Sequence, residues 1–134
     1  MAAVKPGILT GTEFYDRLAG LFDVMTDWDA RLNHEMPFLV RVLKKNGAGT
    51  VLDVACGTGR HAIALAAQGY SCMGCDSSRG MIAMARENAR RFGADVRFEI
   101  ADFSALSAIS ETFDAVLCLG NSLPHLLSRR DLDR

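Results

Sequence analysis

The sequence predicts an α/β fold built on a doubly wound, mainly parallel sheet in strand order 3-2-1-4, with a helical extension in front of it. Three observations predict it. From residue 50 onward, short apolar or β-branched runs alternate with segments of helical period, a pattern that implies parallel pairing through right-handed crossovers. The run Thr50-Val51-Leu52-Asp53-Val54-Ala55-Cys56-Gly57-Thr58-Gly59-Arg60-His61 passes from such a strand, over two glycines, into an alanine-rich helix signal. A junction of that kind brings backbone amides close to a ligand at a positive helix end. Finally, Ala115 to Leu119 is apolar on both faces, which suits a central strand covered by helices on both sides.

The elements follow in order. Thr12 to Leu21 reads as a short helix, with Thr12 in place to cap it and Phe14, Tyr15, Leu18 and Leu21 at helical spacing. A longer helix is expected from about Asp27 to Lys45, with Leu32, Met36, Leu39, Val40 and Leu43 on its buried stripe. Pro37 bends or divides it, and Asn46-Gly47-Ala48-Gly49 stops it. Strand one is Thr50 to Ala55, followed by a helix from Arg60 to Gln68 closed by Gly69. Strand two is Tyr70 to Cys75, and the next helix, Arg79 to Phe92, turns Met81, Ile82, Ala85 and Ala89 inward and ends at Gly93. Strand three is Val96 to Ile100, a short helix or turn covers Leu106 to Ile109, strand four is Phe113 to Leu119, and a further helix begins at Leu123. Residues 1–49 thus form a helical extension or cap, and 50–134 a partial ligand-binding domain. The order leaves apolar strand four on an edge, which invites pairing. Either a missing C-terminal half or a second copy of the chain is expected to fill that place.

Composition narrows the class of function. At 134 residues the chain suggests one domain with a core, and a formal net charge of −1 gives no reason to expect capture by nucleic acid or anionic lipid. Arg86, Arg90, Arg91 and Arg97 are expected to coat the outer face and C-terminal end of a helix. No segment approaches the roughly 20 apolar residues that cross a bilayer, and the N-terminus lacks the apolar core of a signal peptide. Cys56, Cys72, Cys75 and Cys118 lie in or beside strands, which suits buried free thiols in a reducing cytoplasm. The Cys72–Cys75 spacing is half a zinc motif without a second half, so no metal is expected.

The glycine turn fits two ligand families. Gly57-Thr58-Gly59-Arg60-His61-Ala62 matches the loose dinucleotide pattern, and Asp76 falls at the end of strand two, where a ribose-binding carboxylate belongs. Asp53, however, opposes a pyrophosphate and favours a cationic or hydroxyl-bearing group. The loop therefore suits a nucleoside that carries positive charge. The stretch Val51 to Gly59, with its acidic Asp53, resembles the first motif of class I S-adenosylmethionine-dependent methyltransferases. Three later stretches are similar to that family's motifs in the same order: Asp76, Ala101-Asp102-Phe103, and Phe113 to Asn121.

The resemblance implies a Rossmann-like domain with S-adenosylmethionine as cofactor. Ala55, Cys56, Gly57 and Gly59 would border its methionine part, and Asp76 with Ser77 its ribose. Ala101, Asp102, Phe103 and Met81 would border its adenine, and Leu119, Gly120 and Asn121 the methyl group. Together with Leu119-Gly120-Asn121-Ser122-Leu123-Pro124-His125-Leu126, the first motif is narrower still and resembles glycine N-methyltransferases and related small-molecule N-methyltransferases. That family pairs an arginine of its N-terminal helical segment with the methionine carboxylate, and Arg31 stands at the matching distance before Asp53. Tyr15 and Trp28 would help to close the pocket or serve as packing aromatics. Asn121 and His125 are candidates for the transfer channel, and no base is assigned.

Each residue also has a structural role open to it. Asp53 can brace the loop, Asp76 can cap the next helix with Ser77-Ser78, Asp102 can form a turn, and Asn121 or His125 can support the following helix. His61 is expected to face outward and His34 to be partly buried at the surface, while Met81 and Met84 suit either core or adenine-pocket wall. Asp114 is expected to be structural. The function implied is S-adenosylmethionine-dependent N-methylation of a small-molecule acceptor. The alternatives are a non-catalytic module that binds the cofactor or its demethylated product, and a nicotinamide-dependent oxidoreductase, against which Asp53 counts. Family enzymes continue with three more strands, so the resemblance covers the cofactor half.

Overall fold

The computed structural model describes residues 11–102, 104–105, 109 and 111–119, with side chains from residue 16 onward. Two helices lead, α1 (Gly11–Met25) and α2 (Trp28–Lys45), followed by β1 (Thr50–Val54), α3 (Arg60–Ala67), β2 (Ser71–Asp76), α4 (Arg79–Phe92), β3 (Arg97–Ile100) and β4 (Ala115–Cys118). All strand pairs are parallel and the order is β3-β2-β1-β4, as the alternation of elements predicts. The turn or helix expected at Leu106 to Ile109 and the helix expected from Leu123 lie, apart from Ile109, outside the described residues.

Local chemistry explains the element ends. Asp27 caps α2 by accepting from the Ala30 amide at 3.1 Å, and Lys44 and Lys45 sit in the last turn, where they complement the helix dipole. Pro37 lies within α2 and does not divide it. Its neighbours Met36, Leu39 and Leu43 are buried against the core, and that packing holds the helix across the hydrogen bond a proline cannot make. Ser78 caps α4 through the Met81 amide, and Gly93 ends it in the left-handed conformation. β1 stops one residue earlier than expected because Ala55 turns left-handed, at φ 60°. β2 runs one residue later, since Asp76 still pairs with Ile100 and its carbonyl accepts from the Ala101 amide at 2.9 Å. Asp114 ties the starts of β1 and β4 together, accepting from the Gly49 and Thr50 amides at 2.8 and 3.1 Å while its own amide donates to Thr50 Oγ1.

The sheet has two unlike faces. On one, Met36, Leu39 and Leu43 of α2, Ala62, Ile63 and Leu65 of α3, and Ile82, Ala85 and Ala89 of α4 pack with Val51, Cys72 and Phe98 into the main core. On the other, Leu52, Val54, Met73 and Cys75 form a smaller cluster, joined among the described residues by Ala101, Ile109, Phe113 and Cys118. Among the described residues β4 is the sheet edge, as the strand order predicts, and its Val116 is 61% exposed. Arg90 and Arg91 occupy the exposed last turn of α4, as expected, while Arg86 reaches across to donate to the Phe98 carbonyl at 2.8 Å.

Phe98 is the pivot of the main core. A Cβ added to Gly74 would lie 2.6 Å from its ring and 3.0 Å from Cys56 Sγ, and one added to Gly59 would lie 2.6 Å from the same ring. Gly74→Ala is therefore expected to destabilise the protein by about 1–3 kcal/mol, the usual cost of overpacking, read as a lower urea midpoint at constant slope.

Candidate functional site

Strand order places β1 beside both β2 and β4, so the chain reverses its direction of winding at β1. Open parallel sheets bind ligands beyond the carboxyl ends of the strands at such a switch point. The loop from Ala55 to Gly59 occupies that position. It turns sharply, with left-handed backbones at Ala55, Gly57 and Gly59 (φ 60°, 58° and 79°). An alanine held there is strained, which is a mark of functional loops. The two glycines are not equivalent. The position a Cβ would take at Gly59 is filled by Phe98 and Ala85, whereas at Gly57 it meets nothing within 4 Å. Gly59 thus serves packing beneath the loop, and Gly57 presents bare backbone to open space. Both left-handed glycines keep the backbone of the loop exposed to the mouth of the switch point or tight against the core beneath it, without a side chain between.

Three carboxylates gather at the ends of adjoining strands. Asp53 on β1 is 2% exposed, its Oδ1 has no hydrogen-bond partner, and burial, aided by the nearby Asp76 charge, pushes its pKa up to about 8. Asp76, half-buried at the end of β2, accepts from the Gly57 amide through Oδ2 and from the Ser78 amide through Oδ1, both at 2.9 Å. It therefore joins the glycine loop to the turn before α4, whose N-cap is Ser78 rather than Asp76. Asp102 follows β3 and is exposed. Its Oδ1 accepts from Ser104 Oγ at 2.6 Å and the Ala105 amide at 2.9 Å, contacts that hold its pKa below the ordinary range.

The remaining expected residues divide clearly. Cys56 is buried, packs beside Gly74 and donates its amide to the Cys75 carbonyl at 2.8 Å, and burial raises its thiol well above the ordinary range. Met81 is buried at the start of α4, Met84 is half-buried, Ser77 is exposed, and Ala101 and Leu119 are half-buried at the ends of β3 and β4. Phe103, Gly120, Asn121 and His125 lie outside the described residues, as does the side chain of Tyr15. His34 is exposed rather than partly buried.

The helical extension contributes more than its sequence reveals. Arg31 pairs with Glu35 through Nε at 2.7 Å and lies 5.1 Å over the Trp28 ring. Glu35 also accepts from His61 Nε2 at 2.8 Å, and His61 is 4% exposed with Trp28 edge-on to it at 5.6 Å. His61 therefore faces inward, against expectation, because α2 supplies both a carboxylate and an aromatic wall over the start of α3. Burial holds its pKa below the ordinary value despite the pull of Glu35. Burial raises Glu35, but the hydrogen bonds from Arg31 and His61 outweigh it and the net shift is downward. Asp16 and Asp23 on α1, with Thr58 and Asn88, have no counterpart in the sequence reading. Asp23 accepts from Thr58 Oγ1 at 2.5 Å, Trp28 Nε1 at 2.8 Å and Asn88 Nδ2 at 2.7 Å. The signal available was the seven-residue spacing of two acids on one helix face.

Residues 51–134 match the family model described as a methyltransferase domain. The chain is 42% identical over 120 residues to the glycine/sarcosine N-methyltransferase of Parasynechococcus marenigrum (strain WH8102), covering 89% of this chain and 43% of that protein. It is 38% identical over 120 residues to the glycine/sarcosine N-methyltransferase of Halorhodospira halochloris, covering 89% of this chain and 45% of that one. A solved S-adenosylmethionine-dependent methyltransferase from Clostridium acetobutylicum ATCC 824 is similar with a TM-score of 0.68 at 25% identity, covering 89% of this chain and 47% of that one. The chain belongs to the methyltransferase-domain family, as its glycine loop and ordered acids imply. It spans less than half the length of the curated relatives it matches. The nicotinamide-dependent alternative is set aside by this membership.

Asp53 generates a test of its own. A carboxyl raised on folding keeps a proton that the unfolded chain releases, from about pH 4 up to about 8. Stability accordingly falls as pH rises through that window. Asp53→Asn is expected to remove this decline, measured as urea midpoints from pH 5 to 9. A wild-type profile that is flat over that range would show that the carboxyl does not hold its proton.

Proposed function

We propose that the glycine loop and the three acids hold S-adenosylmethionine, and that the protein of which this chain carries the cofactor-binding part methylates a nitrogen of a small molecule. The observation that carries this reading is the pairing of an unpartnered, fully buried Asp53 oxygen with the open, left-handed backbone at Gly57. A buried acceptor without a donor is costly, and a nucleoside bearing an ammonium group supplies donors and positive charge. The donor set fits the rest of the ligand. Each Asp76 oxygen has a further lone pair for a ribose hydroxyl beyond the backbone amide it already accepts. Asp102 follows the adjoining strand and would accept from the exocyclic amine of adenine. Arg31, engaged with Glu35 through Nε, would offer its terminal nitrogens to the amino-acid carboxylate.

The cofactor, when bound, supplies a methyl group activated by a sulfonium leaving group. The chain's own residues bind and orient. Gly57 lets the backbone come near, Asp76 fixes the loop to the start of α4, and the half-buried Leu119 lies at the end of β4. Alignment of this kind lowers a barrier by making the reaction effectively intramolecular. The amine must arrive unprotonated, so turnover is expected to rise with pH as the acceptor loses its proton. A net charge of −1 favours a small acceptor over nucleic acid. Among the described residues no helix is long and apolar enough to cross a membrane, and the free cysteines Cys56, Cys72 and Cys75, all buried, support a reducing compartment such as the cytoplasm.

Calorimetric titration with S-adenosylhomocysteine, set against NAD, tests the reading. Binding of the first and not the second is expected, and the reverse would overturn it. Asp76→Ala should weaken binding by about 1–3 kcal/mol, the loss expected for hydrogen bonds to a charged group. Gly57→Ala should weaken binding and also lower the urea midpoint, because its methyl group meets no protein atom within 4 Å but its left-handed backbone strains any residue other than glycine.

A further inference from the structure

Two acids on α1 stand outside every role assigned so far. Asp16 Oδ1 accepts from Ser78 Oγ at 2.5 Å and from the Gly80 amide at 2.9 Å, just beyond Asp76. The approach is close enough that a Cβ at Gly80 would lie 2.6 Å from the Asp16 carbonyl oxygen. Asp23 reaches the other loop. It accepts from Thr58 between the two loop glycines, from Trp28, and from Asn88, and its Oδ2 lies 3.7 Å from Arg60 Nη1. Asn88 also donates to the Thr58 carbonyl at 3.0 Å, and both Thr58 and Asn88 are 1% exposed. Seven residues of helix amount to two turns, about 10.5 Å along one face. The helix thus spans from the loop after β1 to the loop after β2, with one carboxylate on each.

Among its described side chains α1 meets the domain through both apolar and polar contacts, with Leu18 and Phe22 half-buried and Phe22 beside the Trp28 ring. Leu21, Val24 and Met25 are exposed, and Ala19 is the buried apolar side chain that α1 contributes among its described residues. The fully buried apolar contribution among these residues is small, so the two carboxylate latches carry much of its attachment to the loops. Thr26 and Asp27 are all that separate it from α2.

Resting on the cofactor reading above, we propose that α1 is a strap latched across the two cofactor loops, and that Asp16 and Asp23 are positioning residues that set how fast the cofactor leaves. Neither acid needs to touch the ligand. Asp23 fixes Thr58, and with it the flanking backbone of Gly57, while Asp16 fixes Ser78 and Gly80 at the base of the Asp76 turn. A ligand gripped by both loops departs when the strap releases them.

The test compares wild type, Asp16→Ala and Asp23→Asn in the intact protein. Stopped-flow displacement gives the dissociation rate of S-adenosylhomocysteine, and urea titration gives global stability. Hydrogen exchange of α1 amides is measured with and without saturating ligand. Asp23→Asn keeps an acceptor oxygen for Thr58 and Trp28 but turns a donor toward Asn88 and Arg60, so it loses the charge and one partner, and the urea titration is read alongside it. Each variant is expected to speed dissociation by roughly tenfold to a hundredfold, the equivalent of one charge-assisted hydrogen bond. Exchange in α1 should rise while exchange in β1 and α4 stays as in wild type, and ligand should protect α1 in wild type. A purely structural role would lower the urea midpoint and leave the dissociation rate unchanged, which overturns the proposal while the cofactor reading stands. Failure of wild type to bind S-adenosylhomocysteine at all would overturn both.

Discussion

The hydrogen bond from the Gly57 amide to the Asp76 carboxylate joins the two halves of the site. It exists because parallel pairing of β1 with β2, in the register Asp53 to Gly74 and Val54 to Cys75, delivers both strand ends to the same level. The Cys56 amide extends that ladder one step to the Cys75 carbonyl, and the loop then departs from the sheet. A slip of one residue would turn Asp53 to the opposite face and separate Gly57 from Asp76. The register is held by a buried face on each side of the sheet, with Val51, Cys72 and Phe98 in one cluster and Leu52, Val54 and Met73 in the other.

On that frame, charge is arranged by degree of burial. Asp53 lies deep and is pushed toward its neutral form, Asp76 is half-buried with two amides on it, and Asp102 is exposed and held ionised by a turn. Three identical side chains thereby acquire three characters across adjoining strands. A ligand with a cationic end, a diol and an aromatic amine matches that series of acids better than a pyrophosphate, which would bring more negative charge beside them. Under the proposed cofactor reading, this grading suits a nucleotide-binding topology to an adenosyl cation.

The sheet order and the glycine turn were legible because they are local. A β-branched run, two glycines and a helical period each act over a few residues, and their alternation leaves few topologies open. The positions of Asp76 and Asp102, at the end of β2 and just after β3, were legible because strand ends can be counted. His61 was misread because its environment comes from Trp28 and Glu35 on another helix, which no local period encodes. The packing of Gly59 over Phe98 was hidden for the same reason, since that ring lies far along the chain. Asp16 and Asp23 were invisible because α1 runs past Leu21 with Val24 and Met25 exposed, so its apolar period fades while its acids find partners in α3, α4 and the loops between strands. Sequence periodicity reports which face is buried in oil; it says little of faces docked by hydrogen bonds.

Phe98 touches the space that both Gly59 and Gly74 leave vacant. The height of the glycine turn above the sheet is thereby inherited from a ring on β3 that never approaches the surface. A change to that ring would accordingly reach the bend through packing alone, without touching the acid that holds the loop to the next strand.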